Sequence, residues 1–340
     1  MSVLTFGATA TIGSLRYAGN LAAVRVTLAV GPGTGSARIS LPRDLRVDAA
    51  PGDDVAIGLT GESGEETAVF TGAVVAVRRG LDLTTVVCGD AAAGLAAIRP
   101  GKTYEQQGAS AIVAALAREA GAGTGTVDID LDLPTYVADQ GRTAWEHVST
   151  LAGWGGCLAT ASAGGDVEVR PFPSPPADTA LRYGREIAEL TVSRPAPDAD
   201  LVFTGSGPAG SGSDPRARQQ TTGTVPDDAP GPDARTVRVA APALRVPAAA
   251  SAASTAVARH NGAPRLAATC WLVPGLRAGG TVEIADVPVP DGAGPWLLTR
   301  VVHQVGPGPA GRTTLDGVGI ADAAGGGLLA QLAGALGSLL

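Results

Sequence analysis

The rarest chemistry-bearing side chains in this 340-residue sequence are three histidines, three cysteines and one lysine. The histidines are His147, His260 and His303, and no H-x-x-x-H or H-E-x-x-H spacing joins any of them to a second ligand. The cysteines, Cys88, Cys157 and Cys270, are odd in number and far apart, with no C-x-x-C. A zinc site needs closely grouped nitrogen and sulfur donors, so neither set predicts a metal. Free thiols in a reducing compartment are the expectation. His147 is placed on the polar face of a helix, His260 at a helix end where a cation suits the dipole, and His303 late in a strand. No G-x-S-x-G elbow offers a serine nucleophile.

Lys102 sits in Gly101-Lys102-Thr103, yet a phosphate loop would need glycine five positions before Gly101, where Ala96 stands. It reads as a turn approaching a helix. Gly205-x-Gly207-x-x-Gly210 has dinucleotide spacing, but Ser211-Gly212-Ser213-Asp214-Pro215 cannot supply the helix that would face a pyrophosphate. Asp128, Asp130 and Asp132 alternate, so their carboxylates share one face of a strand. Leu133 stands where a calcium loop wants glycine, and a solvated acidic face is the expectation. A carboxylate pair for glycan hydrolysis could be distant in sequence, but such clefts present aromatic rings to sugars and aromatics are only 4% here. The expectation is no enzyme, no cofactor and no metal. A glycan hydrolase and a small-ligand-binding β-barrel are the alternatives from other classes.

The elements that must position these residues are mostly strands. Hydrophobic residues make up 45%, so a core of Val, Leu, Ile and Ala is affordable; Gly 48 and Pro 25 together make about a fifth, which means many turns rather than disorder. The net charge of −7 argues against a nucleic-acid binder, and no sequence recognition of nucleic acid is expected. No run approaches about 18 apolar residues, so no membrane span is expected, and the N-terminus lacks the pattern of a signal peptide. Residues 1–95 read as short β-branched strands, at 23–30, 38–41, 55–59, 69–77 and 83–87. Residues 96–176 change period: helices over 110–121 and 143–152, a strand over 127–133, then two strands around Gly164-Gly165. Residues 177–322 return to β, interrupted by a polar Gly/Ser/Pro insertion over 205–235 and a small-residue helix over 248–260.

The last β region echoes the first. Pro51-Gly52, a strand, the longer Phe70–Val77 strand and Thr84-Thr85 are answered in the same order by Pro274-Gly275, 281–284, 296–303 and Thr313-Thr314. One chain would then carry two related β-barrels flanking a small α/β unit, an α+β, mainly β fold. After Gly325-Gly326-Gly327, residues 323–340 form a glycine hinge and an apolar helix. Leu328, Leu332, Leu336 and Leu339 make its stripe, suited to docking on a partner or on its own domain.

The run Lys102-Thr103-Tyr104-Glu105-Gln106-Gln107-Gly108-Ala109-Ser110-Ala111-Ile112-Val113 resembles the first helix of the phage late control protein D family. The next, Tyr136-Val137-Ala138-Asp139-Gln140-Gly141-Arg142-Thr143-Ala144-Trp145, continuing to Leu151-Ala152-Gly153-Trp154-Gly155-Gly156, resembles its glutamine-led second helix. That family comprises baseplate hubs of contractile phages and the hub portion of type VI secretion spikes. The resemblance implies two tube-protein-like β-barrels per chain and a homotrimer joining a sixfold inner tube, or a tube-initiator protein, to a threefold spike protein. Other baseplate components would be further partners. It implies assembly in the cytoplasm and residence in the baseplate of a phage-like particle. The fused spikes of the family carry a long C-terminal β-helix that this sequence lacks, so the spike would be a separate chain.

Overall fold

The computed structural model describes residues 6–173, 177–196, 200–205, 222–223, 236–258, 262–289, 291–306 and 311–320. His260, most of the 205–235 insertion and the stripe Leu328, Leu332, Leu336 and Leu339 lie outside the described residues.

The first β half holds β1 (Gly7–Ile12), β2 (Leu15–Ala18), β3 (Ala23–Ala29), β4 (Ser36–Pro42), β5 (Asp54–Thr60), β6 (Glu66–Arg79) and β7 (Leu83–Gly89). Alternation decides which way each faces: in β3, Val24, Val26 and Leu28 are buried while Arg25 points out. The middle of the chain gives α1 (Ala91–Ala96), β8 (Lys102–Gly108), α2 (Ala109–Glu119), β9 (Thr124–Val127), β10 (Asp132–Ala138), α3 (Ala144–Trp154), β11 (Cys157–Ala161) and β12 (Val167–Pro171). Then come β13 (Thr179–Arg182), β14 (Ile187–Ser193), β15 (Asp200–Thr204), β16 (Thr236–Ala240), α4 (Pro247–Ala258), β17 (Arg265–Trp271), β18 (Thr281–Ala285), β19 (Gly294–Val305) and β20 (Arg312–Gly319).

The echoed segments fold alike. β5–β6–β7 and β18–β19–β20 are both antiparallel meanders, and the long middle strand of each is irregular, between Val74 and Ala76 and between Leu298 and Arg300. A bulge of this kind bends a strand so that it can serve different neighbours along its length. Gly72 stands where β6 passes the end of β7, and a Cβ there would collide with the Gly89 carbonyl.

The fold is mainly β and largely antiparallel, as the strand pattern predicts. The expected closed barrels are not what the pairings give. Among the described strands, one sheet of thirteen runs from β14 through β17, β20, β19, β3, β4, β7, β6, β5 and β1 to β2, with β18 and β13 branching from β19. The halves merge because β19 pairs β3 in antiparallel register, Arg300 opposite Ala29 through Val305 opposite Val24. One hydrophobic cluster accordingly runs from Ile12, Ile57 and Phe70 to Leu276, Trp296 and Leu315.

The α/β unit has its own core around Ile112, Leu116, Tyr136, Trp145 and Leu151. β15, β16 and α4 join that core: Phe203, Leu244 and Ala250 are buried in it, and Phe203 meets Trp154 edge-on. Helix α3 begins with the capping box of Thr143 and Glu146, each satisfying the other's backbone N–H. Two expectations are corrected in this unit. Lys102 begins strand β8, paired with β10, rather than a turn into a helix. The strand expected over 127–133 pairs only at its ends, because the Ser110 hydroxyl takes both the N–H and the C=O of Ile129 and no ladder is needed there.

The β3–β4 turn plugs the sheet into this unit. The Trp145 indole N–H donates to Gly33 O at 2.9 Å and Gly31 N–H to Ala159 O at 2.8 Å. Asp90, buried between β7 and α1, accepts from Gly35 N–H and from Ala93 N–H, both at 2.9 Å. Burial raises its pKa against those hydrogen bonds. Asp90→Ala leaves two donors unpaired at the joint, and we expect a loss of about 2–4 kcal/mol in denaturant unfolding; a change below about 1 kcal/mol would show that the joint tolerates their loss.

Candidate functional site

Among the described residues the three cysteines, His147 and His303 are buried in the packed interior. Among the described residues, no group of three or more His, Cys, Asp or Glu is placed to hold a metal ion. Cys88 and Cys270 are buried with their thiols pushed up to about 12, and Cys157 to about 11, by desolvation. Such thiols stay protonated and unreactive.

His147 is not on a polar helix face, as the sequence suggests, but fully buried. It stands four residues before Leu151 and so shares that residue's inward face. Its Nε2–H donates to Asp139 O at 3.0 Å, which leaves Nδ1 to accept from the Tyr136 hydroxyl at 2.8 Å. His303 repeats the device. Its Nε2–H donates to Leu276 O at 3.1 Å and its Nδ1 accepts from the Thr313 hydroxyl at 3.0 Å, while Thr313 accepts from Val273 N–H. Burial lowers both pKa values, that of His303 to about 4, which favours the neutral ring in each.

The described surface offers open strand edges and a cleft. β2 and β14 end the pairing path, so each leaves one row of backbone groups without a ladder neighbour among the described strands. A polar cleft lies where the β11–β12 hairpin faces the second β half, lined by Thr160, Glu168, Arg170, Asp178 and Arg277. Within it Arg277 donates to Ala68 O at 2.8 Å, and burial lowers its pKa, opposed by nearby Glu168. Asp128, Asp130 and Asp132 share an exposed face as expected, alternating with buried Ile129, Leu131 and Leu133.

The sheet's outer face carries a feature that sequence reasoning missed. Arg312 stands opposite Gln304, Gln304 opposite Arg25, and Arg25 opposite Arg38, a row crossing β20, β19, β3 and β4. Each of these arginines is exposed, and none forms an ion pair or side-chain hydrogen bond among the described residues, whereas Arg300 on the same face pairs with Asp316. In the sequence they are ordinary polar positions of alternating strands; only the register brings them together.

No protein-family model matches the chain, and no curated protein matches it significantly. Solved structures do. The 43 kDa tail protein of prophage MuSo2 from Shewanella oneidensis is similar at 13% identity and a TM-score of 0.66, over 92% of this chain and 98% of that one. A tail protein from Neisseria meningitidis MC58 is similar at 14% identity and a TM-score of 0.68, over 92% and 96%. The chain has a phage tail protein fold. The E. coli c3393 protein, a component of the type VI secretion system with structural similarity to T4 tail proteins gp27 and gp5, is similar at 13% identity and a TM-score of 0.61, over 92% of this chain and 77% of that one. Against this tail fold, no described helix is long and apolar enough to cross a membrane.

The neutral histidines make stability depend on pH. With the folded pKa of His303 near 4 and the unfolded near 6.5, the unfolded chain binds more protons between those values. The contribution is fully present above about pH 6.5 and lost as pH falls toward 4, about 3 kcal/mol in all. Denaturant unfolding across that window should show falling stability, and His303→Gln should flatten the fall. An unchanged slope in the variant would assign the acid sensitivity to other groups.

Proposed function

We propose that the chain is a structural baseplate hub of a contractile phage-tail-like particle. The observation that carries this reading is a tail-protein fold shared over more than nine-tenths of the chain, with nearly the whole of two tail proteins covered. The similarity to c3393, a type VI secretion component that itself resembles T4 tail proteins, supports a place in a tail-like assembly.

In this reading residues 1–95 and 177–322 are two tube-protein-like β units and 96–176 is the α/β unit between them. The excursion through β15, β16 and α4 packs back onto the α/β core. Each chain contributes two such units, so a homotrimer offers six to a hexameric inner tube while keeping threefold symmetry toward the spike. The matched meanders and the ladder that fuses them favour this arrangement, because they hold two like units at one fixed relative position. The role is assembly, with the particle's baseplate as the location. The stripe Leu328, Leu332, Leu336 and Leu339 is proposed as a tether that docks on a partner.

Light scattering of the chain alone, and co-expressed with the spike protein of the same particle, tests the reading. A trimer, or a trimer formed only with the spike, is expected; a monomer in both preparations would overturn it. Removing residues 323–340 should leave the unfolding midpoint within error and weaken spike capture by tenfold or more, roughly the loss of a small apolar contact. Undiminished capture would remove the tether from the proposal.

A further inference from the structure

The row Arg312, Gln304, Arg25, Arg38 is expensive to keep in an isolated chain. Arg25 and Arg38 are directly opposite on antiparallel strands, where like charges repel. Neither has a counter-charge among the described residues, although the chain as a whole is acidic, at −7. The next row on the same face holds Thr314, Val302, Thr27 and Ser36, so charge is not required by the sheet itself.

A matching anionic surface exists on this same chain. Asp128, Asp130 and Asp132 are exposed on one side of an extended segment and form no ion pair among the described residues. The segment is held stiffly: Asp128 N–H donates to Val169 O, the Ser110 hydroxyl holds both polar groups of Ile129, and Leu131 O accepts from Ala109 N–H. Lengths agree as well. Three strand-to-strand steps separate Arg312 from Arg38, about 14 Å, and four residues of extended chain separate Asp128 from Asp132, about 13 Å. Stiff ridges lose little entropy on docking.

We infer that the arginine row of one copy receives the Asp128–Asp130–Asp132 ridge of a second copy. The two surfaces lie on different parts of the chain, the sheet face and the α/β unit, so the contact is head-to-tail and each copy gives one surface and takes the other. Such a contact closes into a ring when its rotation divides the circle. The inference deepens the trimer in the proposed function and rests on that part of it.

Charge reversal on the full chain, read by sedimentation, tests it. The parent should self-associate, more weakly as salt rises. Arg25→Glu with Arg38→Glu, and separately Asp128→Arg with Asp130→Arg, should each weaken association by about tenfold or more. Carrying all four reversals in one chain should restore its self-association, a result that loss of folding cannot mimic; unfolding midpoints check each variant. Association unaffected by either reversal, or a chain with all four reversals that folds but fails to associate, would overturn the assignment of these surfaces. So would arginine variants that self-associate normally but lose spike capture, which would give the row to the spike instead. A parent that is monomeric alone yet trimeric with the spike would overturn this contact and leave the hub reading standing. A parent monomeric in both would remove both.

Discussion

The molecule depends on one ladder, the pairing of β3 with the second half of β19. On its other edge, β3 pairs with β4, whose turn carries Gly31 and Gly33 to Ala159 and Trp145 of the α/β unit. β19 in turn pairs with β20 along most of its length and with β18 at its start. Through these two strands the ladder joins everything: first meander, second meander and α/β unit. Backbone hydrogen bonds across it could not be given up without exposing two long strand edges, each a template for wrong pairing. The fused sheet is thus also what removes two edges from an otherwise edge-rich chain.

Fusion explains why the halves resemble each other without each closing on itself. A barrel closes when its last strand finds its own first strand. Here the outer edge of β3, which the first half would need for closure onto β2, is taken by β19 from the other half. Among the described strands the pairing path stays open at β2 and β14, and its β18 branch at β13, and the first two ends are managed. β2 is only four residues long, and β14 exposes Glu189, Thr191 and Ser193 along its outer face, polar side chains that discourage stacking of an apolar partner.

Much of this was legible in the sequence. Period-two alternation marks β3, β-branched runs mark β5 to β7, helical spacing of Trp145, Val148 and Leu151 marks α3, and the order of Pro-Gly turn, long strand and Thr-Thr strand marks both meanders. What could not be read is what depends on distant partners. β8 has only Tyr104 facing inward, so it shows no alternation, and its strand state comes from β10. His147 looked polar because histidine usually is; its acceptability inside comes from the Tyr136 hydroxyl and the Asp139 carbonyl, neither of them on its helix. The arginine row is invisible for the same reason, since register is fixed by pairings 13 and 279 residues apart for Arg25 with Arg38 and with Gln304.

Net charge, by contrast, was legible and said little. A sum of −7 speaks to solubility and to bulk attraction, and it is silent about where the counter-charges sit. The structure separates them: Arg300 is answered by Asp316 on the neighbouring strand, while Arg25 and Arg38 face each other and form no ion pair among the described residues. A solvated surface tolerates Thr or Ser at such positions at no electrostatic cost, as Thr27 and Ser36 show two residues away on the same strands. In the inferred contact this arrangement has a physical reason outside the isolated chain. Carboxylates on a second surface supply one, because they turn the same repulsion into two charge-assisted hydrogen-bonding partners at fixed spacing.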